Sequence, residues 1–261
     1  MTMVDIGVNL TGKSFKKDRD IVVDAALSAG VNKIIITGTT EAHSEQAAKL
    51  ALQRPSVLYS TAGVHPHHAS DMTSSTVPRL TALAQQEQVV AIGECGLDFN
   101  RNFSPREEQL SCYEVQLELA AEIGLPVFLH QRDAHDEFVK ILSRYTDQLP
   151  GGVVHCFTGN REELHASLEL GMHIGITGWI CDERRGKELQ EIVSDIPLDK
   201  LMIETDAPYL MPRSMKPKPK SNRNEPQFLP HVCETVAACM GLEVGEVAAA
   251  TTENAHRLFK L

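Results

Sequence analysis

Glu94, His130, His155 and Asp206 each stand at or just past the C-terminal end of a short apolar run, in "AIGECGLDF", "PVFLHQRDA", "GVVHCFTG" and "LMIETDAPYL". Imidazole and carboxylate together suit divalent metals such as Zn, Mn or Mg, and the carboxylate share favours the harder ions. A carboxylate at the end of a buried strand costs several kcal/mol unless something cationic meets it. A bound cation therefore accounts for Glu94. Residues two apart in a strand share a face. If Val90 and Ile92 point inward, Glu94 does too, and the same parity aligns Phe128 with His130, Val153 with His155, and Glu204 with Asp206. One carboxylate, two imidazoles and a further carboxylate then converge from four strands. A further run, "LYSTAGVHP", ends at His65 with His67 just beyond, and Arg132 and Asp133 follow His130.

These residues need a frame that gathers strand ends at one place. Eight apolar runs of strand length recur along the chain: the four above, "MVDIGVNL", "KIIITGT", "HIGITGWI" and, carrying His65, "LYSTAGVHP". Segments with apolar period near 3.6 lie between them. In "SPREEQLSCYEVQLELAAEIG" the signals predict Ser104 as N-cap, Pro105 and Glu107 in the first turn, and Gly124 at the end. "DRDIVVDAALSAG" stops on Gly30, a good C-terminal cap. Eight alternating strands and helices predict an α/β protein, a (β/α)8 TIM barrel, with its active site at the C-terminal strand ends. A doubly wound open sheet would carry a Gly-rich phosphate loop after the first strand, and "GVNLTGKSF" is not one.

The 261 residues suit one barrel domain, residues 1–261, with no linker or low-complexity segment to divide them. With 42% hydrophobic and 23% charged residues, the composition is that of a soluble globular protein. Six cysteines without a Cys-x-x-Cys pair predict reduced thiols and a cytoplasmic location. "MTMVDIGVNL" lacks the pattern of a signal peptide, and no run approaches the 18 apolar residues of a membrane span. A net charge of −10 argues against loose binding to long duplex nucleic acid but leaves room for an enzyme that grips a short polyanion through a metal.

In order along the chain, "GVHPH", "AIGECGLDF", "LHQRDA", "VVHCFTG", "ITGW", "ETDAPYL" and "RNEP" resemble the motifs of the TatD family of metal-dependent deoxyribonucleases. The resemblance spans essentially the whole chain. It implies an amidohydrolase-like barrel that hydrolyses phosphodiester bonds with a divalent metal, commonly Mg. It also implies a 3′-to-5′ exonuclease on single-stranded DNA, sometimes RNA, with a part in DNA repair. By motif, Glu94, His130, His155 and Asp206 become the metal positions, and His65 a site-lining residue. Many relatives carry His-x-His at the end of the first strand, where this chain has Gly7 and Asn9, a form shared by one subgroup of the family. Glycine offers no ligand and Asn9 only a neutral oxygen, so Mg or Mn is expected over Zn.

On that footing Asp206 would orient a water or accept its proton, while Glu94, His130 and His155 hold the cation. Arg132 and the loop cations Lys216, Lys218, Lys220 and Arg223 are expected to meet phosphate. Trp179 and Phe99 are the expected stacking rings for an unpaired base. Glu204 reads equally as support for Asp206, a second-ion ligand or half of a structural ion pair, and Cys95 and Cys156 as small core residues. A monomer is the default. The alternative functions are a metal-dependent hydrolase of a small lactone, amide or phosphate ester on the same barrel, and a non-catalytic, metal-dependent binding protein.

Overall fold

The computed structural model describes residues 2–261. Its eight strands are β1 (Met3–Val8), β2 (Val31–Ile36), β3 (Leu58–Ala62), β4 (Val89–Asp98), β5 (Val127–Arg132), β6 (Gly152–Val154), β7 (His173–Ile176) and β8 (Leu201–Ile203). Among the described residues nine α-helices follow or separate them: α1 (Arg19–Ser28), α2 (Glu41–Ala51), α3 (Thr76–Ala84), α4 (Arg106–Ile123), α5 (His135–Leu142), α6 (Arg161–Glu169), α7 (Lys187–Ile192), α8 (Leu229–Met240) and α9 (Val244–Phe259). The strands pair in parallel in the order β1 to β8, each beside its chain neighbour. All eight apolar runs are strands, and the expected (β/α)8 barrel is the fold. Among the described residues, no helix is long and apolar enough to cross a membrane.

Two hydrophobic layers hold the barrel. Inside, Val4, Ile6, Ile35, Val90, Phe128, Val153 and Met202 fill the lumen, with Leu258 and Phe259 of α9 packed on them. Outside, a larger cluster joins the strands to the helices. The first and last strands meet through an isolated parallel bridge, Val8 to Ala207. There Asp206 N–H donates to Gly7 O at 2.9 Å and Asn9 N–H to Ala207 O at 2.8 Å. The barrel seam thus runs through the residues expected to do chemistry.

Glu94 faces the lumen, but not by simple alternation. Val90 and Ala91 belong to the inner cluster, while Ile92 packs in the outer one. The pairing of β4 with β5 shifts between Gly93 and Cys95, so Gly93 sits opposite Phe128 and Cys95 opposite Leu129. Glu94 is the extra residue of a bulge, which re-aims its side chain. Glycine is required around it. Gly93 and Gly96 have φ of 138° and 139°, and a Cβ at either would collide with a β5 carbonyl, of Phe128 or His130.

The start of α4 also departs from expectation. The helix begins at Arg106 after Pro105, without a side-chain cap. Ser104 instead donates its hydroxyl to His67 O at 3.0 Å and accepts from Ser70 N–H at 3.1 Å, tying the 3-10 turn Pro66–Asp71 to the foot of the helix. A tertiary partner has taken the hydroxyl that a local cap would use. Gly124 does end the helix, in the left-handed conformation at φ 76°.

Candidate metal centre at the barrel mouth

Three imidazoles surround one carboxylate oxygen. Glu94 Oε1 lies 3.2 Å from His65 Nε2, 3.0 Å from His130 Nδ1 and 2.7 Å from His155 Nε2. These residues come from the ends of β3, β4, β5 and β6, so the barrel itself brings them together. Glu94, His65 and His155 are buried and His130 nearly so. The Phe128 ring lies beneath, tilted against His155 with centroids 4.6 Å apart. Asp206 reaches the same mouth from β8 through a left-handed residue, φ 53°, and Asn9 Nδ2 donates to its Oδ1 at 2.9 Å.

Burial favours the neutral form of each of these groups, and their partners decide the outcome. Burial pushes the Glu94 carboxyl up, but the charges of His155 and His65 and hydrogen bonds from His130 and His155 hold it well below the usual range. Burial also works against protonation of His155, yet Glu94 and Glu204 outweigh it and raise this imidazole well above its ordinary value. His65 is pulled down to about 4, chiefly by burial. Asp206 is pushed up to about 7 by burial, with Glu94 and Glu204 adding repulsion that His155 and Asn9 only partly offset.

The donor set fits a divalent cation. Ligand atoms of His65, Glu94 and His130 all lie within 4.8 Å of one another. His130 Nε2 is buried without a hydrogen bond; its nearest acceptor, Asp98 Oδ2, is 3.6 Å away. Nδ1 of the same ring faces Glu94, so the imidazole stands between two carboxylates, as a metal-ligating histidine stands between its ion's site and an orienting acid.

Glu204 fills the space beside Gly7 on the first strand. It is fully buried; Cys156 N–H donates to Oε1 at 2.5 Å, and Oε2 lies 3.3 Å from His155 Nδ1. A Cβ on Gly7 would overlap Oε2, and one on Gly175 would come within 2.8 Å of Oε1. The carboxylate occupies the space that a side chain at position 7 would need.

Several supporting residues escaped the sequence reading. Asp5 accepts from Thr205 N–H at 2.9 Å and from its hydroxyl at 2.6 Å. Asn224 Nδ2 donates to Thr205 O at 2.9 Å. Thr205, between the acids Glu204 and Asp206, is therefore clamped on both sides. Burial pushes Asp5 up to about 8 despite those bonds. Asp98 bridges His67 at 2.7 Å and His130 at 3.6 Å. Its signal was present in the sequence, since 94, 96 and 98 alternate, and Asn224 stands in the "RNEP" motif, whereas no local pattern marks Asp5.

The expected phosphate and base contacts divide. Arg132 is exposed at the end of β5, and Lys216, Lys218 and Lys220 are exposed on the loop after β8; none has an acidic partner among the described residues. Arg223 is not free. Its guanidinium is 2.7 Å from Asp18 and 2.7 Å from Glu225 and lies over Phe15, which fastens the loop to the start of α1. Phe99 and Trp179 are partly buried, each with a guanidinium over its ring, from Arg106 at 4.4 Å and Arg185 at 4.3 Å.

A family model described as TatD related DNase matches residues 4–260. A protein of Erwinia billingiae named 3′-5′ ssDNA/RNA exonuclease TatD is 56% identical over 259 residues, covering 99% of each chain. The like-named protein of Escherichia coli K12 is 55% identical over 257 residues, 98% of each. Among solved structures, YJJV, a TatD homolog from Escherichia coli K12, superposes with a TM-score of 0.89 at 29% identity, covering 99% of this chain and 98% of that one. Molinate hydrolase, at 11% identity and a TM-score of 0.60 over 99% of this chain and 73% of its own, shares the fold alone.

Proposed function

Because the chain belongs to the family of TatD-related DNases, we propose that it is a divalent-metal-dependent 3′-to-5′ exonuclease acting on single-stranded DNA and RNA. The observation that carries this reading is the convergence of His65, His130 and His155 on one Glu94 oxygen beside Asp206, in a chain more than half identical to relatives named for that activity.

Glu94, His130, His155 and Asp206 would hold the ion, with His65 beside them. Oxygen donors from Glu94, Asp206, Glu204 and Asn9, in place of a first-strand imidazole pair, favour Mg or Mn over Zn. In such a cradle a divalent ion supplies Lewis acidity toward a phosphoryl oxygen and makes a neighbouring water a better nucleophile. Asp206 Oδ1 is fixed by Asn9, which leaves Oδ2 to take a proton from the attacking water. His155, pinned between Glu94 and Glu204, keeps one orientation throughout. Arg132 and the free lysines 216, 218 and 220 offset the charge of the substrate phosphates at the rim. A local cationic rim on an acidic protein suits a substrate gripped over a few nucleotides rather than along a duplex.

The test uses metal-stripped protein and a 5′-labelled single-stranded oligonucleotide, restored separately with Mg, Mn or Zn. A ladder shortening from the 3′ end with Mg or Mn is expected. No cleavage with any metal, together with turnover of chromogenic lactones or phosphate esters, would replace the nuclease by a small-molecule hydrolase.

A further inference from the structure

Four large apolar side chains are exposed among the described residues: Ile21, Leu52, Phe103 and Tyr209. The two aliphatic ones lie in α1 and just past α2, on the outer wall. The two aromatic ones both lie beyond C-terminal strand ends, Phe103 in the loop after β4 and Tyr209 in the turn after β8. In a closed order of eight strands, β4 and β8 are opposite each other. The exposed rings therefore stand on opposite rims of the mouth, Phe103 nine residues beyond Glu94 and Tyr209 three beyond Asp206.

Both rings are tied to the site. Phe103 meets His67 edge-on with centroids 4.7 Å apart, and His67 in turn contacts Asp98, which faces His130. Tyr209 N–H donates to Asp206 O at 3.0 Å, closing the turn that carries both residues. Phe103 is 65% exposed even with the Arg101 guanidinium 5.9 Å from its ring centroid, and Tyr209 is 61% exposed, so each retains an open surface that the partly buried Phe99 and Trp179 rings have largely lost.

Resting on the nuclease reading above, we propose that Phe103 and Tyr209 are stacking platforms for two successive unpaired bases, one on each side of the scissile phosphodiester. Every base has a π-face, so such platforms tolerate any sequence. Tyr209 shares its loop with Lys216, Lys218 and Lys220 and holds the body of the polymer. Phe103, in the loop that continues β4, the strand paired with the one carrying exposed Arg132, holds the departing 3′ nucleotide. Two bases splayed to opposite rims cannot remain stacked on each other or paired to a second strand. Preference for single strands follows from the placement of the rings.

Stacking on an aromatic side chain is worth about 1–3 kcal/mol per base, or roughly a 5- to 150-fold change in apparent KM. The experiment compares, with Mg or Mn, oligonucleotides whose 3′-terminal residue either carries or lacks its base. Wild-type protein is expected to favour the base-bearing end by that factor. Phe103→Ala should collapse the ratio to near one, and Phe103→Trp should restore it. Tyr209→Ala should collapse the corresponding ratio when the missing base is at the penultimate position. Melting temperatures within a few degrees of wild type certify the fold of each variant. Cleavage by the wild type with no preference for the base-bearing end, or ratios that survive both alanine variants, would overturn the platforms and leave the nuclease standing. Failure of the wild type to cut either oligonucleotide would overturn the nuclease, and the platforms with it.

Discussion

Replacing Gly7 by alanine tests whether Glu204 fills the place of a missing side chain. The new Cβ would overlap Glu204 Oε2 and approach Phe128 Cζ to 3.2 Å. Retreat is blocked on the far side, because Gly175 lies close to Oε1 and Cys156 N–H and His155 hold the carboxylate. Stretching one hydrogen bond to a buried charge costs about 1.5–3 kcal/mol, and overpacking a tight core about 1–3 kcal/mol. Together they give Gly7→Ala a cost of roughly 2.5–6 kcal/mol in chelated protein. In a Glu204→Ala background the carboxylate is gone, and the Phe128 ring, 3.2 Å from the new Cβ, need shift only slightly into the space it leaves. Position 7 has no left-handed φ, so alanine fits its backbone and should be neutral or stabilising by about 0.4–1 kcal/mol through the unfolded chain. The sign of the substitution should reverse between the two backgrounds. Urea denaturation of the four proteins in the cycle, with m-values checked for constancy, measures the coupling. Equal costs of Gly7→Ala in both backgrounds, within about 0.5 kcal/mol, would refute the wedge.

Asp206→Asn keeps the Asn9 contact and the shape of the mouth but cannot take a proton; turnover should fall about 10²- to 10⁴-fold with little change in melting temperature. Retained turnover would remove that role from Asp206. Asp98→Asn should weaken metal binding by about 10- to 100-fold in a calorimetric titration, because it loosens the His67 and His130 rings without removing a ligand; unchanged affinity would make Asp98 only a fold residue. His173, away from the mouth, is held down to about 4 by burial, with Lys200 adding to the effect. It is neutral when folded, whereas the unfolded histidine takes a proton near pH 6.5, so its contribution is present above that value and is lost as pH falls toward 4. His173→Gln should therefore flatten the pH dependence of unfolding free energy between about pH 6.5 and 4 relative to wild type, and an unaltered slope would contradict the assignment.

The barrel and the residues gathered at its mouth were readable because they follow rules of short range. Apolar runs punctuated by helices predict parallel strands, and parallel strands of a barrel collect their C-terminal ends. Glu94 shows where such rules stop. Its inward aim was deduced from parity with Ile92, yet Ile92 points outward, and a bulge between two constrained glycines redirects the chain. Ser104 had every local mark of a cap but was claimed by the segment around His67. Arg223 looked like a loose loop cation because Asp18, its partner, lies 205 residues away in sequence. Exposure is likewise a property of the folded surface. Phe99 and Trp179 were natural choices for stacking until the fold showed both partly buried, while Phe103 carried no distinguishing pattern and Tyr209, within "ETDAPYL", gave no sign of its exposure.

The seam of the barrel has a consequence for the order in which the protein becomes active. The cluster around Glu94 draws on β3 to β6, neighbours in sequence that can assemble from the middle of the chain. Asp206 is different. Its backbone docks on Gly7, its side chain on Asn9, and the adjoining Thr205 on Asp5, a contact spanning 200 residues. Contacts of such long range form late, after the cost of closing the loop has been met. A nascent or partly opened chain would therefore expose a cradle that can bind an ion while the acid that completes the chemistry is still elsewhere. Completion of the mouth thus waits until the two ends of the chain have found each other.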